Sequence, residues 1–267
     1  MFEIPLDQLP PGFADSVERE PERPAVPEPA ATVVLLRDGA AGPEALLLRR
    51  QRTAGFVPGA WVFPGGRVDA ADSAPELLRR VAGLPRVLVP GIPFWTAAIR
   101  EVFEETGVLL ARDGAGDPVP AAGVNGGLER WREALMGGAA TLADVLADTG
   151  YTADASEVVP IAHWITPVVE RRRYDTRFFA APLPEGASAR ADAREMTDLA
   201  WLTPRQALRR FEAGTLPMVF PTVRTLESLD GFDRVANLLD AFRDRDVPTV
   251  LPRLIRTEGG VAIVVDD

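Results

Sequence analysis

The chain has no cysteine and no lysine. All 29 of its basic residues are arginine, and it contains one histidine, His163. Without cysteine, disulfides, iron–sulfur clusters, thiolate zinc sites and cysteine nucleophiles are excluded. Without lysine, so are Schiff-base chemistry, pyridoxal phosphate attachment and the P-loop lysine. A single histidine rules out a His-rich metal centre, and no G-x-S-x-G elbow accompanies it to make a serine triad. No apolar run approaches the roughly 20 residues of a membrane span. The first thirty residues, with Pro5, Pro10, Pro11, Pro21, Pro24, Pro27 and Pro29 among acidic residues, carry no apolar targeting core. A cytoplasmic protein without a membrane partner is expected. A net charge of −10 argues against non-specific nucleic-acid binding, which depends on neutralising phosphates with basic side chains. It does not exclude a small anionic substrate, because a bound divalent cation inverts the local field. Catalysis is left to carboxylates, arginine, hydroxyls and the metals that oxygen ligands hold: Mg²⁺, Mn²⁺ or Ca²⁺.

At 46% hydrophobic, the composition is that of a globular protein with a sizeable core. Residues 1–30 read as an extended, Pro-rich arm on the surface. Ala31–Arg37 and Glu44–Arg50 are β-rich runs separated by turn residues, and Trp61–Phe63 is a short strand stopped by Pro64-Gly65-Gly66. Helices are expected over Pro75–Ala82 and from about Phe94 to Leu110, and shorter ones near Leu128–Met136 and Leu142–Asp148. Strands are expected at Val158–Ile165, Arg173–Ala181 and Leu199–Leu202. Pro204–Phe211, Pro221–Leu229 and Phe232–Arg243 read as helices, the first with Thr203 as N-cap. Val250–Arg256 and Val261–Val265 form a candidate hairpin. Strands and helices interleave without a regular βαβ rhythm, which predicts an α+β fold, an α/β/α sandwich, rather than a doubly wound sheet.

The chemistry concentrates in Arg100-Glu101-Val102-Phe103-Glu104-Glu105-Thr106-Gly107. With Glu101 placed at zero on a helix, Glu104 falls near about −60° and Glu105 near about +40°. Three carboxylates therefore share one arc, while Ile99, Val102, Phe103 and Thr106 take the opposite, core-facing side. Like charges at these spacings repel, and a hard cation would relieve them. Arg100, one turn before Glu104, can pin that carboxylate. An acidic cluster of this kind is also what a solvated helix face looks like. The upstream glycines Gly65 and Gly66, which let bare carbonyls approach a metal, favour the metal reading.

These residues resemble the Nudix box, G-x5-E-x7-R-E-U-x-E-E-x-G-U with U aliphatic. Arg100, Glu101, Val102, Glu104, Glu105, Gly107 and Val108 fit its second half, and Gly66-x5-Asp72 fits the first with Asp in place of Glu. Residues 73–99 stand where the pattern has seven, so the box is enlarged, as in the branch of peroxisomal coenzyme A diphosphatases and their bacterial relatives. The flanks are similar to that branch as well, in Phe63–Gly66, Val68–Asp72 and the segments WITP…RRRYDTRFFAA and EMTDLAWLTPRQAL. Of the coenzyme A signature, Leu46, Leu47, Arg50, Gly59 and Phe63–Gly66 are in register. Leu48, Gln51 and Gly55 depart from it, and Gly55 replaces an arginine.

The resemblance implies a Nudix fold: a mixed sheet between helices, with one domain over 31–267. Helical insertions fall at about 73–96 and 112–156, and helices and a hairpin over 204–267. It implies an Mg²⁺-dependent hydrolase, with Mn²⁺ as substitute, cutting a pyrophosphate linkage in a nucleoside diphosphate derivative such as coenzyme A or an acyl-CoA. Glu101, Glu104, Glu105 and the Gly65 carbonyl become the metal ligands. Glu101, Glu104 and Arg100 become the catalytic set, with Glu101 as ligand or base. Arg50 and Gly66 become substrate contacts. Asp72 either reaches the metal through water or caps the following helix. Glu195 is a further base or ligand, or a surface acid. The Arg171–Arg173 run meets an anionic tail or is a solvated strand end. His163 is a strand residue, and Phe94 and Trp95 pack the insertion on the core. Two other readings stand beside the enzyme. One is a catalytically silent Nudix-fold nucleotide sensor. The other is the isopentenyl diphosphate isomerase branch, which relies on a cysteine absent here. The sequence is compatible with a homodimer.

Overall fold

The structure is a computed structural model describing residues 2–19, 21–51, 58–84, 91–119, 126–192, 194 and 196–265. Gly55 and Glu195 lie outside the described residues.

The apolar runs of the first half are buried on both sides, as suits central strands of a sheet covered on two faces. β1 (Phe2–Pro5) is followed by β2 (Glu28–Gly39) and β3 (Gly42–Arg50), joined as an antiparallel hairpin. Strand periodicity divides their side chains between two cores. Ala31, Val33, Leu35, Leu46 and Leu48 enter one, and Val34, Leu36, Ala45 and Leu47 the other. β4 (Trp61–Val62) pairs with β3, and β5 (Gly65–Arg67) pairs with β2. After α1 (Phe13–Ser16) come α2 (Pro75–Leu78), α3 (Pro93–Thr106), α4 (Gly126–Met136) and α5 (Leu142–Thr149). β6 (Val81–Ala82), β8 (Thr152–Asp154) and β7 (Ala111–Arg112) form a small separate sheet.

The main sheet is completed by β9 (Val159–Ile165), β10 (Tyr174–Pro182), β11 (Met196–Leu202) and β12 (Thr249–Val250), in the order β11-β3-β2-β10-β9-β12. β2 with β10 and β9 with β12 run parallel, and the other pairs antiparallel, so the sheet is mixed. Residues of α3, α4 and α5 cover one face. α6 (Pro204–Glu212), α7 (Phe220–Leu229) and α8 (Val235–Arg243) cover the other. The expected α/β/α sandwich is present. Thr203 caps α6 as expected, accepting a hydrogen bond from Gln206 N.

Several boundaries differ from the sequence reading, each for a local reason. The helix expected over 75–82 stops at Leu78, because the carbonyls of Arg80 and Ala82 accept from Ala153 N and Ala155 N of the neighbouring strand segment. α3 ends at Thr106 rather than Leu110. Gly107 adopts the left-handed conformation, φ 73°, and its N–H returns to the Phe103 carbonyl. α8 starts at Val235, not Phe232, where Asp38 at the end of β2 accepts the Val235 N–H at 2.8 Å.

The N-terminal segment is also more ordered than a surface arm. β1 pairs antiparallel with β14 (Gly260–Val264), itself paired with β13 (Arg253–Arg256). The Phe2 ring stacks on Phe211 at 5.6 Å and meets Phe220 edge-on at 5.4 Å. Among the described residues, no helix is long and apolar enough to cross a membrane.

Candidate active site

α3 presents its acidic arc to the β2–β5 pair, and this packing assembles the site. β5 runs against β2 with Gly66 opposite Ala31 and Gly65 opposite Thr32. Backbone packing requires glycine at 65, and at 66 the Glu101 carboxylate takes the place of a side chain. A Cβ on Gly65 would strike the Ala31 carbonyl, and one on Gly66 would lie 2.5 Å from Glu101 Oε1. The Gly65 N–H donates to Glu105 Oε2 at 3.1 Å. The Gly65–Gly66 turn and the carboxylates of α3 are thus in direct contact, as the sequence pattern requires.

Arg100 is the hub of the cluster. Its buried guanidinium donates to both Asp72 oxygens, from Nε at 3.0 Å and Nη2 at 2.9 Å. Nη1 reaches Glu101 Oε1 at 2.7 Å and the two Glu104 oxygens at 3.3 Å each, and Nη2 also donates to the Arg67 carbonyl at 2.7 Å. The sequence reading gave Arg100 only Glu104 to orient. Its bidentate partner is in fact Asp72, which is buried. Asp72 accepts the Asp69 N–H at 2.8 Å as well, closing a capping box on the short turn Ala70–Ser73. Asp72 therefore does more than cap the following helix: it is the clamp that holds Arg100. The D-x-x-D spacing of a capping box was a signal for its cap role; the pairing across to Arg100 leaves none in the sequence.

The electrostatics follow from burial. Desolvation pushes the Glu101 carboxyl up to about 7, with the neighbouring Glu104 charge adding to the shift and Arg100 opposing it. Desolvation also raises Glu104, again opposed by Arg100. Burial pulls the Arg100 guanidinium down, but Asp72, Glu101 and Glu104 outweigh it and hold the cation firmly charged.

Further residues missed by the sequence reading finish the C-terminal end of α3. Arg132 of α4 donates from Nε to the Glu104 carbonyl at 2.8 Å. Arg190 N and Asp192 N donate to the carbonyls of Thr106 and Glu105. These contacts satisfy helix-end acceptors and place positive charge at the negative end of the helix dipole.

Asp69, Arg100, Glu101, Glu104 and Glu105 line a cleft of ≈ 2170 Å³, together with Arg50 and the exposed Arg171 and Arg172. Arg173, the third of that run, is instead buried, donating to the carbonyls of Thr166 and Ala25. His163 is buried away from the carboxylates, bridging Asp175 and Arg177 within the sheet. Trp95 packs on Phe179, as expected of a core residue.

The donor set fits a hard divalent cation. All its groups are oxygens, and the four carboxylates of Asp69, Asp72, Glu101 and Glu104 face one guanidinium. Among the described residues no three acidic side chains stand pre-gathered as a cage. Arg100 shares in relieving the repulsion that the sequence reading left to the metal alone.

The model of the NUDT19 Nudix domain matches residues 84–229. The chain is 29% identical over 248 residues to the acyl-coenzyme A diphosphatase NUDT19 of Gallus gallus, covering 76% of this chain and 65% of that protein. To the protein of the same name from Homo sapiens it is 29% identical over 232 residues, covering 72% and 62%. The match thus spans less than two thirds of these curated relatives. A crystal structure of a NUDIX hydrolase from Alicyclobacillus acidocaldarius superposes with a TM-score of 0.68 at 28% identity, covering 83% of this chain and 99% of that one.

Two outcomes follow from the cluster. Arg100→Met leaves Asp72 buried and unpaired, so it should destabilise the fold by about 3–5 kcal/mol in urea denaturation. Adding Asp72→Leu should recover most of that loss, and a double variant no better than the single one would contradict the pairing. The second concerns pH in metal-free protein. A carboxyl raised to about 7 binds its proton more tightly folded than unfolded, so its destabilisation is absent below the unfolded pKa and develops as pH rises to about 7. The melting temperature of Glu101→Gln relative to wild type should therefore climb between pH 5 and pH 8; a flat or falling difference would contradict it.

Proposed function

The chain belongs to the Nudix family, with the domain of the NUDT19 type, and on that premise we propose that it hydrolyses the pyrophosphate linkage of a nucleoside diphosphate derivative, with coenzyme A or an acyl-coenzyme A as the preferred class. The observation that carries this reading is the packing of the α3 carboxylates against the Gly65–Gly66 turn, with Glu105 bonded to Gly65 N and Glu101 filling the space over Gly66.

Nudix hydrolases generally use divalent metal ions. In this chain Glu101, Glu104, Glu105 and the Gly65 carbonyl are the groups that would hold one, Mg²⁺ or Mn²⁺. Such an ion neutralises charge on the diphosphate and lowers the pKa of bound water. The rest falls to the protein. Arg100, itself fixed by Asp72, holds Glu101 and Glu104 in place, so that the carboxylates are positioned before substrate arrives. The missing side chains at Gly65 and Gly66 let β5 pack directly against the β2 backbone and the Glu101 carboxylate. Glu101, with its proton affinity raised by burial, is suited to accept a proton near neutral pH as well as to ligate.

Arg50 is the phosphate contact in this reading. It lines the cleft, and among the described residues its buried Nε has no hydrogen-bond partner, so an anionic ligand would help to satisfy it. The names of the relatives support the acyl-coenzyme A class.

Glu104→Gln should reduce Mg²⁺-dependent turnover of coenzyme A derivatives by about 100-fold or more at unchanged melting temperature. Hydrolysis in ¹⁸O-water should place the label in one phosphorylated product by mass spectrometry. Full activity in the folded variant would refute the mechanism, and tight nucleotide binding with no turnover across a pyrophosphate panel would mark a silent sensor instead.

A further inference from the structure

Beyond the carboxylates, the cleft carries basic groups that cleavage of the diphosphate leaves unused. Arg171 and Arg172, in the β9–β10 connection, are exposed and line it. Among the described residues neither guanidinium has an acidic partner or a hydrogen bond. The adjacent Glu170 does not neutralise them. Its carboxyl, also on the cleft, is raised by burial alone, with no cation pulling it back down.

The loop that carries the pair is fixed at its base. Buried Arg173 donates from Nε to the Thr166 carbonyl at 3.0 Å and from Nη1 to the Ala25 carbonyl at 2.8 Å. Its own carbonyl accepts from Glu28 N at 2.8 Å, and Thr166 N donates to the Tyr174 carbonyl at 3.0 Å. The third arginine of the run thus anchors the backbone that presents the first two.

Strand register places this loop beside the glycine turn. Tyr174 is opposite Glu28, Thr176 is opposite Ala30, and Ala30 is opposite Arg67, the residue after Gly66. Tyr174 and Arg67 are therefore two strand spacings and two residues apart, on the order of 12 Å. Arg67 also lines the cleft; its side chain is 65% exposed and holds Glu28 only at 3.4 Å, a loose surface pair. Basic groups thus continue outward from the carboxylate site, in a chain whose net charge is −10.

We propose that Arg171 and Arg172 form a subsite for a phosphate monoester that the substrate carries apart from the diphosphate being cut. The pair lies past the exit of the glycine turn rather than on it, so its occupant is a separate group. Guanidinium forks match phosphate oxygens, and a monoester with about −1.5 to −2 charge draws more from two arginines than a carboxylate does. The inference rests on the diphosphatase reading and goes beyond it in giving substrate discrimination to a loop outside the Nudix box.

Coenzyme A and dephospho-coenzyme A differ by one such monoester, so the test compares their KM values with Mg²⁺. Wild type is set against Arg171→Gln, Arg172→Gln, the double variant, and Arg209→Gln, an exposed arginine of α6 off the cleft that controls for net charge. In wild type the KM for coenzyme A should be at least about tenfold the lower. The double variant should raise it about tenfold, with less than about twofold change for dephospho-coenzyme A, and Arg209→Gln should move neither. Equal KM values in wild type, a rise shared by both substrates, or the same rise in Arg209→Gln would overturn the subsite.

Titration calorimetry with adenosine 3′,5′-bisphosphate and with AMP reads the subsite without turnover. Tighter binding of the bisphosphate by wild type, lost in the double variant, with neither coenzyme A form hydrolysed, keeps the subsite and overturns the diphosphatase reading. Hydrolysis of both forms, with bisphosphate and AMP bound alike, overturns the subsite and keeps that reading.

Discussion

The buried ion pair between Arg100 and Asp72 is the constraint on which the site depends. A guanidinium taken out of water must be paired nearly completely, and here five of its contacts are made by groups from two segments far apart in sequence. Asp72 fixes the fork from one side, the Arg67 carbonyl from another, and Glu101 and Glu104 take what remains. The arginine thus converts a repulsive acidic stripe into an ordered group of carboxylates. Preorganised charge of this kind is what makes electrostatic catalysis effective.

The same pair also explains how an enlarged Nudix box still closes. Residues 73–99 separate the two halves of the motif in sequence, yet the turn around Ala70–Ser73 and the helix α3 meet through Asp72 and Arg100, with Thr96 adding a hydrogen bond to the Asp72 carbonyl at 2.6 Å. Between them, Pro75–Leu78 forms α2 and Val81–Ala82 joins the small sheet as β6. Buried carboxylates are costly at neutral pH, and the upward shifts of Glu101 and Glu104 express that cost. A fold that keeps such groups does so at some expense to its stability.

Much of this was legible in the sequence where one physical rule dominated. Alternating and continuous apolar runs marked β2, β3, β9 and β10, and helical spacing gathered Glu101, Glu104 and Glu105 on one arc. Gly107 was readable as a helix terminator, although the apolar Val108–Leu110 run made the helix look longer. Contacts between distant segments were not legible: the pairing of Asp72 with Arg100, the support from Arg132, and the bond from Asp38 that starts α8 all depend on the tertiary fold. The N-terminal segment misled for a different reason. Its prolines signal an irregular chain, and the strand within it is specified by a partner some 250 residues away, β14.

The central claim is that the acidic arc of α3, set by Arg100, holds a divalent cation beside the Gly65–Gly66 turn. Titration of the wild-type protein with Mn²⁺, followed by electron paramagnetic resonance, tests it without reference to any substrate. The account predicts saturable binding that weakens at least about tenfold in Glu105→Gln, a side chain whose contact with Gly65 N joins the two halves of the site. Mn²⁺ affinity unchanged by that substitution, in a protein that remains folded, would contradict it.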